Sequence, residues 1–307
     1  MKNILVLHYS QSGQLTEIVN NIATPLGNDK DINVVHHQIK MEIPFAFPWK
    51  KKDFFNVFPE TFLQIPSKIK KIPENILNQK FDLVILGYSV WYLSPSIPAT
   101  SFLKSDDAKK LLANTPVITV IGCRNMWIMA QEKIKKLLKG CNSKLVGNIV
   151  LVDRHINHIS VITIVQWMFT GKKEHYLGIF PKPGVSQKDI DASSKFGNVI
   201  LDHINNNKLK CLQNNLIKEK AVVIKPFLVV ADKRANILFS KWAKLIRSKG
   251  KPNDENRTFW LRMFNLYLLF VIWIIAPLVF ILFLFTYFPL YGKIKKDKNY
   301  YSSVEIN

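Results

Sequence analysis

The first stretch that could do chemistry is Ser10-Gln11-Ser12-Gly13-Gln14-Leu15-Thr16. It follows the apolar run Ile4-Leu5-Val6-Leu7-His8-Tyr9 and opens a stripe of Leu15, Ile18, Val19 and Ile22 at helical spacing. The turn therefore lies where a buried strand stops and a helix begins. The first N–H groups of such a helix have no internal partner, and its dipole is positive there. That makes the turn an anion site, with phosphate the natural anion. The pattern lacks G-x-G-x-x-G, which excludes a dinucleotide pyrophosphate loop. It also lacks G-x-x-x-x-G-K-[ST], which excludes a nucleoside triphosphate loop. No Lys or Arg lies in the turn, so hydroxyls and amides alone would hold the group. Ser10, Gln11, Ser12, Gly13, Gln14 and Leu15 are the candidate phosphate-binding residues.

Three further loops carry chemistry. Tyr88-Ser89-Val90-Trp91-Tyr92-Leu93-Ser94-Pro95 follows the clearest strand of the chain, residues 81–87. Gly122-Cys123-Arg124-Asn125-Met126-Trp127 follows another, at 116–122, and Asp153-Arg154-His155-Ile156-Asn157-His158 a third, at 143–152. Ser89, Val90, Trp91, Tyr92, Gly122, Cys123, Arg124 and Asn125 are candidates to cradle a ring, with Trp91, Tyr92 and Trp127 as stacking surfaces. His155 and His158 are candidate bases, and Arg124 is a candidate to hold a carboxylate or enolate oxygen. The paired His36 and His37 on a predicted strand at 33–39 point to opposite faces and read as strand filler.

The elements that must position these loops alternate. Strands at 4–9, 33–39, 81–87, 116–122 and 143–152 are separated by helical patterns, including 97–112, a run with Ile128, Ile134, Leu137 and Leu138, and 186–204. Such alternation predicts an α/β fold, a doubly wound parallel five-stranded sheet with helices on both faces. Ligands of such sheets bind beyond the carboxyl ends of the strands, where the four loops converge. A receiver domain of this topology would need acidic residues after the first strand. His8 and Tyr9 stand there instead.

The N-terminal turn resembles the phosphate loop of the flavodoxin-like family, roughly [ST]-x-[ST]-G-x-[ST]. Ser10, Ser12 and Gly13 match it, and Leu15 removes one hydroxyl that Thr16 is placed to replace. Gly87 to Pro98 resembles the flavin-ring loop of flavodoxin-like quinone reductases, G-x-P-V-W-[WY]-x-x-P-x-x-P, with Ser89 in place of the first proline. The resemblance covers about the first 205 residues and implies FMN as cofactor. Within that family the chain is similar to proteins known as dialkylresorcinol condensing enzymes, which accompany a ketosynthase in making flexirubin-type pigments. The resemblance implies an FMN-dependent oxidoreductase that oxidises and aromatises a lipid-like cyclic dione. A nicotinamide-driven quinone reductase is the alternative, and a flavodoxin-like electron carrier ranks last, since carriers of this family are typically small and acidic. It leaves room for a ketosynthase partner and for homo-oligomers.

The chain has 307 residues, 21% charged and 48% hydrophobic, with a net charge of +21. Such an excess needs an anionic partner, nucleic acid or a membrane surface. No nucleic-acid motif accompanies it, so an anionic membrane surface is the expectation and nucleic acid is not. Cys123, Cys141 and Cys211 have no metal-ligand spacing and suit a reducing compartment. Met1-Lys2-Asn3 runs straight into a strand, which predicts a cytoplasmic domain.

Residues 1–206 are expected to form the flavodoxin-like domain, with an aromatic-rich insertion at about 44–66. There Phe45, Phe47, Trp49, Phe54, Phe55, Phe58 and Phe62 are interrupted by prolines and by Lys50, Lys51 and Lys52. Two readings stay open for it: a segment folded on its own aromatics, or an apolar lid or membrane-contacting loop. Residues 207–263 read as a basic linker and an amphipathic interfacial helix at 233–249. Residues 264–291 form a hydrophobic membrane segment, uncharged from 266 to 288, and 292–307 a basic polar tail. Basic residues flank the segment on both sides, Arg257 and Arg262 before it and Lys293, Lys295, Lys296 and Lys298 after it. The positive-inside rule would keep both flanks cytoplasmic, which one simple span cannot do. Spanning and a shallow re-entrant pair broken at Pro277 both remain open. The expected location is the cytoplasmic face of the inner (plasma) membrane, anchored through this segment.

Overall fold

In the computed structural model, residues 1–306 are described. β1 (Lys2–His8) leads into α1 (Gln14–Gly27) and β2 (Ile32–Gln38). The insertion contributes α2 (Lys51–Asn56) and α3 (Phe58–Phe62), and α4 (Glu74–Leu77) follows. β3 (Leu83–Trp91) doubles back into the two-residue β4 (Ser94–Pro95) before α5 (Ile97–Leu103) and α6 (Asp106–Leu112). β5 (Pro116–Cys123), α7 (Ile128–Gly140) and β6 (Lys144–Val152) complete the sheet. Then come α8 (Asn157–Thr170), α9 (Gln187–Asp191), α10 (Ser194–Asn205) and α11 (Leu212–Lys218). The C-terminal region holds α12 (Pro226–Ser248), α13 (Thr258–Phe270), a π-helical turn (Val271–Ile275), α14 (Ala276–Thr286) and α15 (Tyr291–Ser302).

The long strands are parallel and lie in the order β2-β1-β3-β5-β6. Counting them in sequence, this is the 2-1-3-4-5 order of the flavodoxin-like doubly wound sheet. Alternation along β1 divides the interior. Ile4 and Val6 join a core with α1 and α10, and Leu5 and Leu7 join one with α5 and α7 on the other face. Two glycines let α1 press close to the sheet. A Cβ at Gly87 would lie 2.8 Å from Val19, and one at Gly122 would lie 3.3 Å from Leu15. That close approach brings the N-terminus of α1 level with the tips of β3 and β5.

Two helical patterns are broken. The predicted helix at 97–112 is split at Lys104 and Ser105, and the one at 186–204 at Ala192 and Ser193. The Ser105 side chain caps α6 by accepting from Ala108 N–H, and Ser186 caps α9 in the same way from Asp189.

Segments beyond residue 206 pack into the body rather than beside it. Leu212 and Leu216 of α11 join the α1-side core, and Val229 of α12 joins the other. Asp232, fully buried, accepts from Met129 N–H in the first turn of α7. A third core holds Phe58 and Phe62 of the insertion against Ala243, Ile246, Leu261 and Phe264 of α12 and α13. The apolar segment forms one continuous helix from Glu255 to Thr286, so of the two readings left open the re-entrant pair broken at Pro277 is not present. The π-helical turn just before Pro277 absorbs the backbone bond that proline cannot make. By length and composition this helix could cross a membrane, and little of it is buried.

Candidate functional site

The β1–α1 turn is built as its sequence demands. Gly13 takes a left-handed backbone (φ 86°) at the N-cap, where no side chain caps the helix. The first amides of α1 are thus left for a ligand. Ser10 Oγ is buried without a hydrogen-bond partner among the described residues. Leu15 is buried, its side chain packed toward the sheet glycines. Thr16 does not replace the hydroxyl missing at Leu15. Its Oγ1 lies 3.0 Å from His8 Nε2, beneath the turn. Burial lowers the pKa of His8 to about 4, so this imidazole is neutral at physiological pH.

Two glutamines of the turn are structural ties. Gln11 Nε2 donates to the carbonyls of Phe45 (3.0 Å) and Ala46 (2.8 Å) and so fastens the insertion across the turn. Gln14 pairs through both amide atoms with the backbone of Val185 at 3.0 Å. Gly184, at φ 80°, makes that approach feasible, since a Cβ there would lie 2.7 Å from Gln14 Oε1 and 2.9 Å from Trp167.

The β3–β4 connection is a two-residue hairpin with positive φ at Tyr92 (49°) and Leu93 (59°). Neither residue is the Gly or Asn that such a turn favours, so the conformation is strained. It turns the Tyr92 ring into the third core. The hydroxyl donates to Phe54 O at 2.6 Å, and the ring lies 5.1 Å from that of Phe58. Trp91 remains at the site, set edge-to-face with Phe45 and Trp49, each 5.3 Å away.

These elements enclose a cavity of about 260 Å³. Its polar floor is Ser10, Gln11, Ser12 and Gln14, and its far wall is Ser89 to Tyr92 with Gly122, Cys123 and Arg124. The roof comes from two segments. The insertion supplies Trp49, Phe54 and Val57, and α8 supplies Ile164, Val165, Trp167, Met168 and Phe169. A backbone bond from Trp49 N–H to Met168 O (2.8 Å) and the ring contact of Phe54 with Phe169 join the two. Trp49 Nε1 is a second buried polar atom without a partner among the described residues. The volume falls just under the range of about 300–1,000 Å³ typical of small-molecule clefts. A mononucleotide would be gripped along its length rather than swallowed.

Arg124 is the only charged residue lining this cavity among the described residues. Its Nη1 donates to Asn157 Oδ1 at 2.7 Å. Burial lowers its pKa to about 10, a drop that Asp153 opposes. Burial also pushes the Cys123 thiol and the Tyr92 phenol up, so both keep their protons at neutral pH.

Several expectations need correction. His155 and His158 do not line the cavity. His155 is exposed, with its backbone N–H on Asp153 Oδ1, and His158 Nε2 lies 3.1 Å from Ile272 O with its ring 4.9 Å from Trp273. Asn125 donates to Asn157 Oδ1 and lines a different cavity, of about 380 Å³. Trp127 is a core residue that also faces that second cavity. Gly13 shapes the turn but does not line the cavity. The remaining candidates, Ser10, Gln11, Ser12, Gln14, Leu15, Ser89 to Tyr92, and Gly122 to Arg124, converge there. The α8 wall and Gly184 carry no sequence signal of their own. The insertion does, as a crowd of aromatics.

Polar and aromatic halves together suit a planar ring with an anionic tail. The tail's ligands would be the free α1 amides and the Ser10 hydroxyl. The ring would meet Trp91 and Trp49, with the orphaned Trp49 N–H available to a ring heteroatom.

No protein-family model matches the chain, and no curated protein sequence matches it significantly. Solved structures do resemble it. A flavoprotein from Lactobacillus acidophilus in complex with FMN is 16% identical, over 49% of this chain and 93% of that one, with a TM-score of 0.39. A flavodoxin from an archaeon is 11% identical over 66% and 99%, at 0.38. Flavodoxin 1 from Bacillus cereus is 13% identical over 66% and 99%, at 0.37. The fold assignment rests on the strand order and connectivity described above.

Proposed function

We propose that the chain is a membrane-associated, FMN-dependent oxidoreductase acting on an apolar ring substrate. The observation that carries this is that one cavity joins unpaired helix amides and an orphaned serine hydroxyl to a wall of aromatic rings. Bound there, FMN would supply two-electron hydride chemistry.

The chain's own groups define the rest. The α1 amides with Ser10 and Ser12 would hold the phosphate, and Trp91 and Trp49 would flank the ring. The apolar roof from α8 and the insertion excludes water and suits a hydrocarbon-rich substrate. Arg124, half-desolvated and alone in charge, is placed to stabilise an oxygen that gains negative charge. Cys123, held as the neutral thiol by burial, is both a weak acid and a poor nucleophile, and can offer only a hydrogen bond. With His155 and His158 out of reach, no imidazole or carboxylate lines the cavity among the described residues.

The finer reading is oxidation of a lipid-like cyclic dione to a dialkylresorcinol, at the cytoplasmic face of the inner membrane. Bound as its enolate, having lost one proton to solvent, the ring would give up a hydride to the flavin, and enolisation of the product would make it aromatic. A dione is itself acidic, and its enolate oxygen matches Arg124. The lack of a base favours a second reading, reduction of a quinone at the expense of NAD(P)H, where the substrate needs electrons first. One anaerobic experiment separates them. A synthetic dialkylcyclohexane-1,3-dione should bleach the FMN-loaded protein and yield the resorcinol. Bleaching by NAD(P)H alone, reversed by quinone, would replace the first reading with the second.

A further inference from the structure

The hydrophobic helix does not stand away from the globular body. Near its start, the Phe264 ring stacks on Phe58 at 3.8 Å and 4°. At its middle, Ile272 and Trp273 meet His158. Toward its end, Phe280 and Phe283 pack on Phe227 of α12, 4.9 and 5.6 Å between ring centres. From residue 264 to 283 the helix rises about 28 Å. That equals the hydrocarbon thickness of a bilayer, about 30 Å. Were the helix to cross, the parts of the body that touch its start, middle and end would sit inside the hydrocarbon, bringing exposed Arg154, His155 and Lys225 with them.

α15 returns to the same body, where Asp297 pairs with Lys233 at 2.9 Å and Gln213 Nε2 donates to Ser302 O at 2.7 Å. Between Thr286 and Asp297 the chain can reach about 27 Å at most, given its helical rise from Tyr291 onward. That is too short to recross a bilayer.

The side of the helix turned from the body is an unbroken apolar stripe. Leu266, Phe270, Ile274, Leu278, Ile281 and Phe285, three and four residues apart, are each at least half exposed. Cations stand at both ends, Arg262 before it and Lys293, Lys295, Lys296 and Lys298 after it, on a chain of net charge +21.

The geometry points to a one-leaflet docking face. The helix of residues 255–286 lies in the plane of an anionic bilayer surface, with its outer stripe sunk about 5–10 Å into the headgroup–acyl boundary and both ends on one side. The charge at its ends selects anionic lipid as the occupant. This inference rests on the membrane association proposed above and is independent of the flavin.

The test uses the full-length chain with Cys211→Ser and nitroxide labels at Leu266→Cys, Ile274→Cys or Phe285→Cys. It is added to preformed vesicles of phosphatidylglycerol and phosphatidylcholine, or of phosphatidylcholine alone. Collision rates with oxygen and with a water-soluble nickel chelate give the depth of each label. The expected result is one shared, shallow depth at all three positions, with binding to neutral vesicles about tenfold weaker. A cysteine at Glu305→Cys should react fully with an impermeant maleimide from outside, without detergent. Depths that pass through the bilayer centre along the series, or a tail labelled only after detergent, would overturn the docking face alone. Absence of vesicle binding would remove the membrane association too. Doubled mass in solution with the labels shielded from both probes would assign the stripe to a second copy and overturn the inference.

Discussion

Arg257 and Glu60 form a two-pronged ion pair. Nη1 and Nη2 of the arginine donate to Oε1 and Oε2 of the glutamate, each at 3.0 Å, and the arginine is fully buried. A third bond from Nη2 to Asn56 O (2.9 Å) completes the clamp. One partner lies in the insertion that roofs the cavity, and the other immediately precedes α13. The roof and the start of the hydrophobic helix therefore move as one piece. Removing the arginine leaves the nearly buried Glu60 with only Arg247, 3.7 Å away, so the loss should fall at or below the low end of the range of about 3–5 kcal/mol typical of breaking a buried pair. Arg257→Ala should lower the thermal midpoint and also weaken FMN binding, although residue 257 does not touch the cavity. Unfolding by circular dichroism and flavin titration measure the two effects. Normal affinity in a destabilised variant would mean that the roof does not depend on the clamp.

A second prediction concerns pH. Burial raises the pKa of Asp232 to about 7, with its bonds to the α7 amides and the nearby Lys133 opposing the rise. The unfolded carboxyl titrates near 4. Between these values the folded chain holds more protons than the unfolded one, so this group's contribution to stability falls as pH rises and levels off above about 7. Asp232→Asn keeps the acceptor for Met129 N–H and removes the charge. It should leave stability unchanged near pH 4 and raise it at pH 8, by on the order of 4 kcal/mol at most. Denaturant midpoints at the two pH values measure this. An equal shift at both would assign the effect to packing.

A third prediction separates the cup from the scaffold. Ser10 Oγ has no protein partner among the described residues, so Ser10→Ala should leave the apoprotein's stability within about 0.5 kcal/mol. The same change should lower FMN affinity about tenfold, the equivalent of one hydrogen bond to a charged group. Gly184→Ala should cost both, because the added methyl meets Gln14 and Trp167 on a backbone at φ 80°. Calorimetry of apo and loaded protein compares them.

Much of this was legible in the sequence. Continuous apolar runs located the long strands, because a central parallel strand is buried on both faces, and a period-3.6 stripe located the first helix. The loops that carry Ser10, Trp91 and Cys123 could be placed at one sheet edge for the same reason. α8 was not legible. It is apolar nearly all round because one side lines the cavity and another meets the hydrophobic helix. Its N-cap is Ile156, and the polar Asn157 that follows serves Arg124 and Asn125 rather than the helix end. His155 and His158 thus read as a loop of catalytic bases. Tyr92 lines the cavity as its loop position suggests, but nothing local shows that its strained turn also aims the ring at Phe58. The insertion's role depends on Gln11 and Arg257, which lie far from it in sequence.

A fourth prediction addresses Arg124. If it stabilises developing negative charge on oxygen, Arg124→Met should lower kcat by about 10²–10³, the cost typical of losing one such stabiliser. FMN affinity should change far less. Arg124→Lys should recover only part of the rate, because the guanidinium's second prong is lost. Steady-state kinetics with dione or quinone read this out. Equal losses in FMN affinity and rate would make Arg124 a cofactor ligand instead.

The central claim is that the cavity above Ser10 and beneath Trp49 takes a flavin mononucleotide. Its most direct test is titration of the purified full-length apoprotein with FMN, following flavin fluorescence, beside riboflavin and FAD. The account predicts saturable binding of one FMN per chain, with quenching by the surrounding tryptophans and markedly weaker binding of riboflavin, which lacks the phosphate. Absence of FMN binding, or equal affinity for riboflavin, would contradict it.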